Sequence, residues 1–236
     1  MSLAKRHQAE CKARIAAAQL SAQATAIAEG QSAANVNFIP DQNAPVEILQ
    51  MSMQQDLAAL HALTDVQKKI ALKKEQLIPK WTPYITQYKE SGANHPFEPL
   101  VWFCIWLLDV EQIDTCIEFS DLAMLQQQKL PSNFTSSTLD TFIAEGIHDW
   151  AQRQLKAGHS AEPFLTQVLE RVESKQWLVT HPIALNKIYK LVAQFAEVEQ
   201  QFEKAEKFYL KCVEVNPEKH GVKTALQKVQ QKLGKA

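Results

Sequence analysis

The sequence predicts an all-α protein, and three observations carry that prediction. Glycine is scarce, with six in 236 residues, where about 7% is usual. Sheet-rich and nucleotide-binding folds spend glycine on tight turns and phosphate loops, and this chain has almost none to spend. Large apolar residues recur at steps of three and four, the period of a helix stripe. The breaks between these stripes are short and mostly marked by proline, glycine or asparagine, which favours antiparallel helical hairpins.

Leu3 to Glu29 is rich in Ala and Gln and free of Gly and Pro, a helix-forming composition. Its large apolar residues are few: Leu3, Ile15, Leu20 and Ile27. Gly30 to Pro45 then reads as a linker. Residues 1–45 are therefore expected to be an N-terminal helix and linker, partly disordered. From Val46 to Ile78 no Pro or Gly intervenes. Leu49, Met53, Leu57, Leu60, Leu63, Val66, Ile70 and Leu77 form one apolar seam there, predicting a single helix of about 30 residues. Pro79 and Pro83 are expected to break it around Trp81. Such a seam needs a mate. Leu49, Met53, Leu57, Leu60, Leu63, Ile70 and Leu77 are expected to find theirs on a second copy, which makes residues 46–90 a long, lysine-bearing oligomerisation helix.

Pro96 and Pro99 mark the next boundary, and 91–236 reads as a domain of short helical hairpins. Helices are expected near 97–109, 112–129, 138–157, 162–176, 182–198, 201–215 and 219–233. Tyr189, Val192, Ala193 and Ala196, followed by Ala205, Tyr209, Cys212 and Pro217, have the offsets of one tetratricopeptide unit. The domain is thus TPR-like at its C-terminal end. Cys11, Cys104, Cys116 and Cys212 form no C-x-x-C pair and read as reduced, buried or half-buried thiols. The longest apolar run, Leu100 to Leu108, is about half of what a bilayer span needs. Nor does Lys5–Arg6–His7 lead into the apolar run of a secretory leader.

Charge is uneven. Residues 101–170 carry three Lys/Arg against ten Asp/Glu, whereas 171–236 carry twelve against seven and 1–80 nine against seven. Basic ends flanking an acidic middle suit a polyanion at the ends or association between copies; they also suit ordinary solvated helix faces. The basic candidates for DNA are Lys5, Arg6, Lys12 and Arg14, and then Lys68, Lys69, Lys73, Lys74 and Lys80. Arginine is rare, so phosphate contact is expected over base reading. Trp81, Tyr84 and Tyr88, near Lys80 and Lys89, would serve either as a stacking platform or as hydrophobic anchors. Trp102 and Trp106 read as core.

No G-x-x-x-x-G-K, G-x-G-x-x-G or H-E-x-x-H occurs, so ATP-driven work is expected of another chain. No cofactor and no metal site are expected. Glu145 and His148 have a helix metal-pair spacing, but a dimetal site needs two such pairs, and this one reads as a surface or capping pair. A nuclease needs carboxylates converging on Mg²⁺. The candidates are Asp114, Glu118 and Asp121, one helical face by spacing, though successive turns of one helix point outward rather than around one ion.

The order of motifs carries a resemblance. Ala4–Lys5–Arg6–His7 opens an Ala-rich helix; a lysine-bearing helix runs into Leu77–Ile78–Pro79–Lys80–Trp81–Thr82–Pro83–Tyr84–Ile85. Trp106–Leu107–Leu108–Asp109 follows, with Ile113 beyond it, and then an Ala205-centred helix before Gly221–Val222–Lys223. This resembles the phage small terminase subunit family of the GpM type, also called the terminase endonuclease subunit. The resemblance implies a DNA-packaging role in the cytoplasm of the bacterial host. Its implied partners are double-stranded viral DNA near the cohesive-end site and a large subunit carrying the ATPase, and its implied assembly is a homo-oligomeric ring. The family label also implies cohesive-end cleavage, but no catalytic residue carries over. Two other readings compete. One is a TPR-like adaptor that binds protein through its acidic middle; the other is a Mg²⁺-dependent endonuclease acting through Asp114, Glu118 and Asp121.

Overall fold

The computed structural model describes residues 45–134 and 138–235. The expected Ala-rich N-terminal helix, with Lys5, Arg6, Lys12 and Arg14, lies outside the described residues, as does Cys11. Every regular element described is helical: α1 Val46–Ala62, α2 Val66–Leu72, a π-helical turn Lys73–Leu77 leading into α3 Ile78–Glu90, α4 Glu98–Asp109, α5 Ile113–Leu125, α6 Leu139–Ala157, α7 Phe164–Glu173, α8 Pro182–Val198, α9 Phe202–Val215 and α10 Lys223–Lys232. The fold is all-α. Among the described residues no helix is long and apolar enough to cross a membrane. The chain divides into two compact units, one ending at Val110 and the other beginning at Glu111.

In the first unit the expected single helix is two. Leu63 turns extended (φ −79°, ψ 132°). Asp65 then caps α2, its carboxylate accepting from the N–H groups of Gln67 and Lys68 at 2.7 and 3.3 Å. An Asp at this position satisfies donors that the helix start leaves orphaned, and periodicity alone does not register it. The prolines do the reverse of what was expected: they do not end the helix. In a regular helix Pro79 would face the Glu75 carbonyl with no N–H to offer and its ring pressed against it. Instead the Ile78 N–H reaches back five residues to the Lys73 carbonyl, and the widened turn gives the ring room. Pro83 sits inside α3, beside Thr82, whose hydroxyl donates to the Ile78 carbonyl at 2.7 Å.

The second correction concerns the seam. Leu49, Met53, Leu57, Leu60 and Leu77 are buried within a single chain, and α1 and α3 both pack on α4. α4 is apolar all round, buried from Pro99 through Leu107, as befits a central helix. Each such side chain taken from water contributes about 1.5–3 kcal/mol, so this burial needs no sister copy. Leu63 and Ile70 alone of the proposed oligomerisation set stay half-exposed.

In the second unit α8 and α9 make the most extensive pairing, flanked by α6 on one side and α10 on the other; α5 and α7 pack on α6. Tyr189, Val192, Ala193, Ala196, Ala205, Tyr209 and Cys212 are all buried. Burial pushes the Cys212 thiol up to about 12, and Cys104, Cys116 and Cys212 are buried and outside any disulfide. Glycine scarcity shows at the helix ends. Gly158 closes α6 with φ 75°, the left-handed cap that glycine favours. Elsewhere Glu111, Gln127, Lys175 and Gln200 take left-handed φ of 54–61° after their helices, at about 1–2 kcal/mol each for an L-residue.

Candidate nucleic-acid interface

Five of the described lysines of the first unit were candidates for phosphate contact, and the structure separates them. Lys80, in α3, points inward. Its ammonium donates to both oxygens of Asp56 at 2.8 Å, and the two side chains are 6% and 1% exposed. The Trp81 indole N–H donates to the same carboxylate at 2.7 Å. Burial lifts the Asp56 carboxyl above its usual range, against the pull of Lys80 and the two hydrogen bonds. Lys80 is therefore a structural cation rather than a DNA contact, because reaching phosphate would strand Asp56 in the core. Lys73, at the start of the π turn, is paired with Asp109 at 2.6 Å and is 15% exposed. Lys68 and Lys74 are exposed and Lys69 half-exposed; among the described residues none of the three makes an ion pair.

The aromatic residues beside them are not a stacking platform. Trp81, Tyr84 and Tyr88 are buried, and Tyr88 stacks on Phe97 with centroids 4.4 Å apart. Trp102 and Trp106 are buried as well. What the sequence reading missed is Asp56 itself. Its spacing in Met53–Asp56–Leu57–Leu60 puts it on the core-facing stripe, and a carboxylate there demands a cation.

The acidic face of α5 does not assemble a site. Asp114 and Glu118 are exposed. Asp121 is held by the Arg171 guanidinium, whose Nε and Nη2 donate at 2.8 and 2.7 Å. The Trp177 indole N–H and the Gln176 amide also donate to it, at 2.8 and 3.1 Å. The hydrogen bonds from Arg171 to Asp121 raise the guanidinium further above its ordinary value. Among the described residues no three His, Cys, Asp or Glu side chains are placed to hold a metal ion, so the donor set does not fit the Mg²⁺ that a nuclease reading requires. Glu145 pairs with Lys187 at 2.7 Å. His148 is buried, its Nδ1 lying 2.8 Å from the Asp149 carboxylate, rather than forming the surface or capping pair with Glu145 that the spacing suggested.

Residues 50–179, more than half of the chain, match the profile of the phage small terminase subunit family. The chain belongs to that family. A relative from Haemophilus phage HP1, named a probable terminase, endonuclease subunit, is 30% identical over 146 residues. That alignment covers 62% of this chain and 51% of the relative, so the chain spans about half the length of the curated relative it matches. No solved structure matches it. The family match takes in α2, the π turn, the Lys80–Asp56 network and the α5 face. It ends just before α8, and the remaining helices of this small terminase subunit lie beyond it.

Proposed function

We propose that this small terminase subunit binds double-stranded viral DNA near the packaging site and delivers it to the large, ATP-hydrolysing subunit in the cytoplasm of the bacterial host. The observation that carries the reading is the trio Lys68, Lys69 and Lys74, without ion-pair partners among the described residues and inside the family-matched span. Lysines of this kind act as point charges toward phosphate and release condensed counterions. Binding should accordingly be tolerant of sequence and steeply weakened by salt. Reversing Lys68, Lys69 and Lys74 to Glu is expected to weaken retention of duplex DNA about tenfold at low salt. The salt slope should fall by roughly one for each phosphate that a lysine no longer neutralises, with the thermal midpoint unchanged. Unaltered retention by that variant moves the interface to Lys5, Arg6, Lys12 and Arg14. A wild type that ignores DNA at low salt leaves the protein-binding adaptor.

Self-association belongs to the same proposal, on a narrower footing than the whole seam. Val66 is 65% exposed, with Leu63 and Ile70 half-exposed beside it in sequence, a residual apolar strip for a second copy or a ring. Light scattering that finds a strict monomer at tens of micromolar removes it. Cleavage of the DNA, at its cohesive ends, is a second reading, and the relative's printed name, a probable terminase, endonuclease subunit, favours cleavage as such. For this chain it predicts Mg²⁺-dependent nicking that Asp114→Ala abolishes; intact DNA retention without nicking leaves a binding subunit alone.

A further inference from the structure

The second unit holds a cleft of about 580 Å³ where α8 meets α10, lined by Lys190, Glu197, Gly221, Lys223, Thr224, Ala225 and Lys228. Three of the lining side chains are cations and one is an anion. Lys190 donates to the Gly221 carbonyl at 3.3 Å, which fixes its ammonium at the wall. Gly221 has φ 62°, a conformation that costs an L-residue strain. A Cβ there would come within 3.9 Å of the Lys190 ammonium. Lys223 and Lys228 are exposed and make no ion pair among the described residues. Glu197, the one carboxylate, is engaged by the Tyr209 hydroxyl at 2.5 Å. Burial, with that hydrogen bond, raises the Tyr209 phenol, so it stays a donor at neutral pH and keeps one oxygen of Glu197 occupied.

We propose that this cleft is a second DNA contact, in which Lys190, Lys223 and Lys228, with the Thr224 hydroxyl, hold a backbone phosphodiester of duplex DNA. The chemistry selects that ligand. The lining offers net positive charge, ammonium donors and one hydroxyl, which suits a phosphate oxyanion. It contains no aromatic ring, so neither a nucleoside nor an unpaired base has a surface to stack on. No guanidinium lines it either, so bidentate reading of guanine is absent and the cleft positions DNA without specifying sequence. The cleft lies outside residues 50–179, and the inference rests on the DNA-binding reading while adding a site to it.

The test is filter retention of a random-sequence duplex between about 50 and 200 mM NaCl, by the wild type, a Lys68/Lys69/Lys74→Glu variant and a Lys190/Lys223/Lys228→Glu variant. Expected for the cleft variant is about tenfold weaker retention at the low-salt end, with the salt slope smaller by about two to three. The milder pair Lys223→Gln and Lys228→Gln keeps the Lys190–Gly221 bond and should reduce the slope by about two, which covers the case in which the triple variant fails to fold. Wild-type retention by both cleft variants, with the Lys68/Lys69/Lys74→Glu variant impaired, overturns the cleft and leaves the proposed function standing. No retention by the wild type overturns both. Inorganic phosphate perturbing the cleft amides by NMR while retention stays unaltered assigns the site to free phosphate and overturns the duplex contact.

Discussion

Two carboxylates, one in each unit, are held by the same kind of partners and reach different balances. Asp56 accepts from Lys80 and from the Trp81 indole; Asp121 accepts from Arg171 and from the Trp177 indole. In both, the cation also lies near the face of its tryptophan, at 5.7 and 5.9 Å from the centroid. The difference is water. Asp56 and Lys80 are 1% and 6% exposed, whereas Asp121 and Arg171 are 25% and 20% exposed. In the first unit burial dominates and the carboxyl is lifted. In the second, hydrogen bonding dominates and the guanidinium is held charged. Lys80 as a DNA contact and Asp121 as a metal ligand were both functional candidates, and both are engaged in ion pairs within the chain. A charged residue on a helix beside a tryptophan is read better as half of an ion pair until its partner has been sought.

The comparison breaks most visibly at Asp56. Asp56→Ala leaves Lys80 buried without a counter-charge and Trp81 without an acceptor, and should cost about 3–5 kcal/mol in urea denaturation followed by circular dichroism. Replacing both partners, as Asp56→Leu with Lys80→Met, should recover most of that loss, because the buried pair is worth little over well-packed apolar residues. A double variant as unstable as the single one would mean that the pair itself, rather than the stranded lysine, sets the stability.

Asp121→Ala should cost less, about 1–3 kcal/mol, because water reaches both Arg171 and the vacated site. Asp114→Ala and Glu118→Ala, exposed on the same helix, should stay within about 0.5 kcal/mol of the parent. This ordering separates a structural Asp121 from a catalytic one. Equal stability for all three variants, with Mg²⁺-dependent nicking lost in each, would restore the nuclease face that the Arg171 pairing argues against.

The helices beyond Pro96 were legible because each has an apolar stripe, or in α4 an apolar run, and a proline, glycine or polar stop. Expected 97–109, 138–157, 182–198 and 201–215 became Glu98–Asp109, Leu139–Ala157, Pro182–Val198 and Phe202–Val215. The region from Val46 to Glu90 misled for a physical reason. Periodicity carries across Leu63–Thr64–Asp65 without a change of register, while the Asp65 side chain, at 2.7 Å from the Gln67 N–H, ends one helix and starts another. Pro79 reads as a breaker, yet a single widened turn absorbs it. The candidate site was legible as a set of lysines but not as a surface. Which lysines stay in water depends on Asp56 and Asp109, and Asp109 lies 36 residues from the Lys73 it neutralises. The cleft had no sequence signal at all, since Lys190 and Lys228 come together only through the packing of the last three helices.

The smallest expected effect is also the most direct reading of which force wins at Asp56. A carboxyl lifted in the folded state binds its proton more tightly there than in the unfolded chain. Its contribution to stability is therefore fully present below the ordinary Asp value near 4 and is lost as pH rises through the lifted one. Asp56→Asn keeps the shape and does not titrate. The stability of the parent minus that of Asp56→Asn, from denaturation curves between about pH 4 and 7, should then fall as pH rises. A difference that grows with pH instead would mean that Lys80's attraction outweighs the loss of water at Asp56.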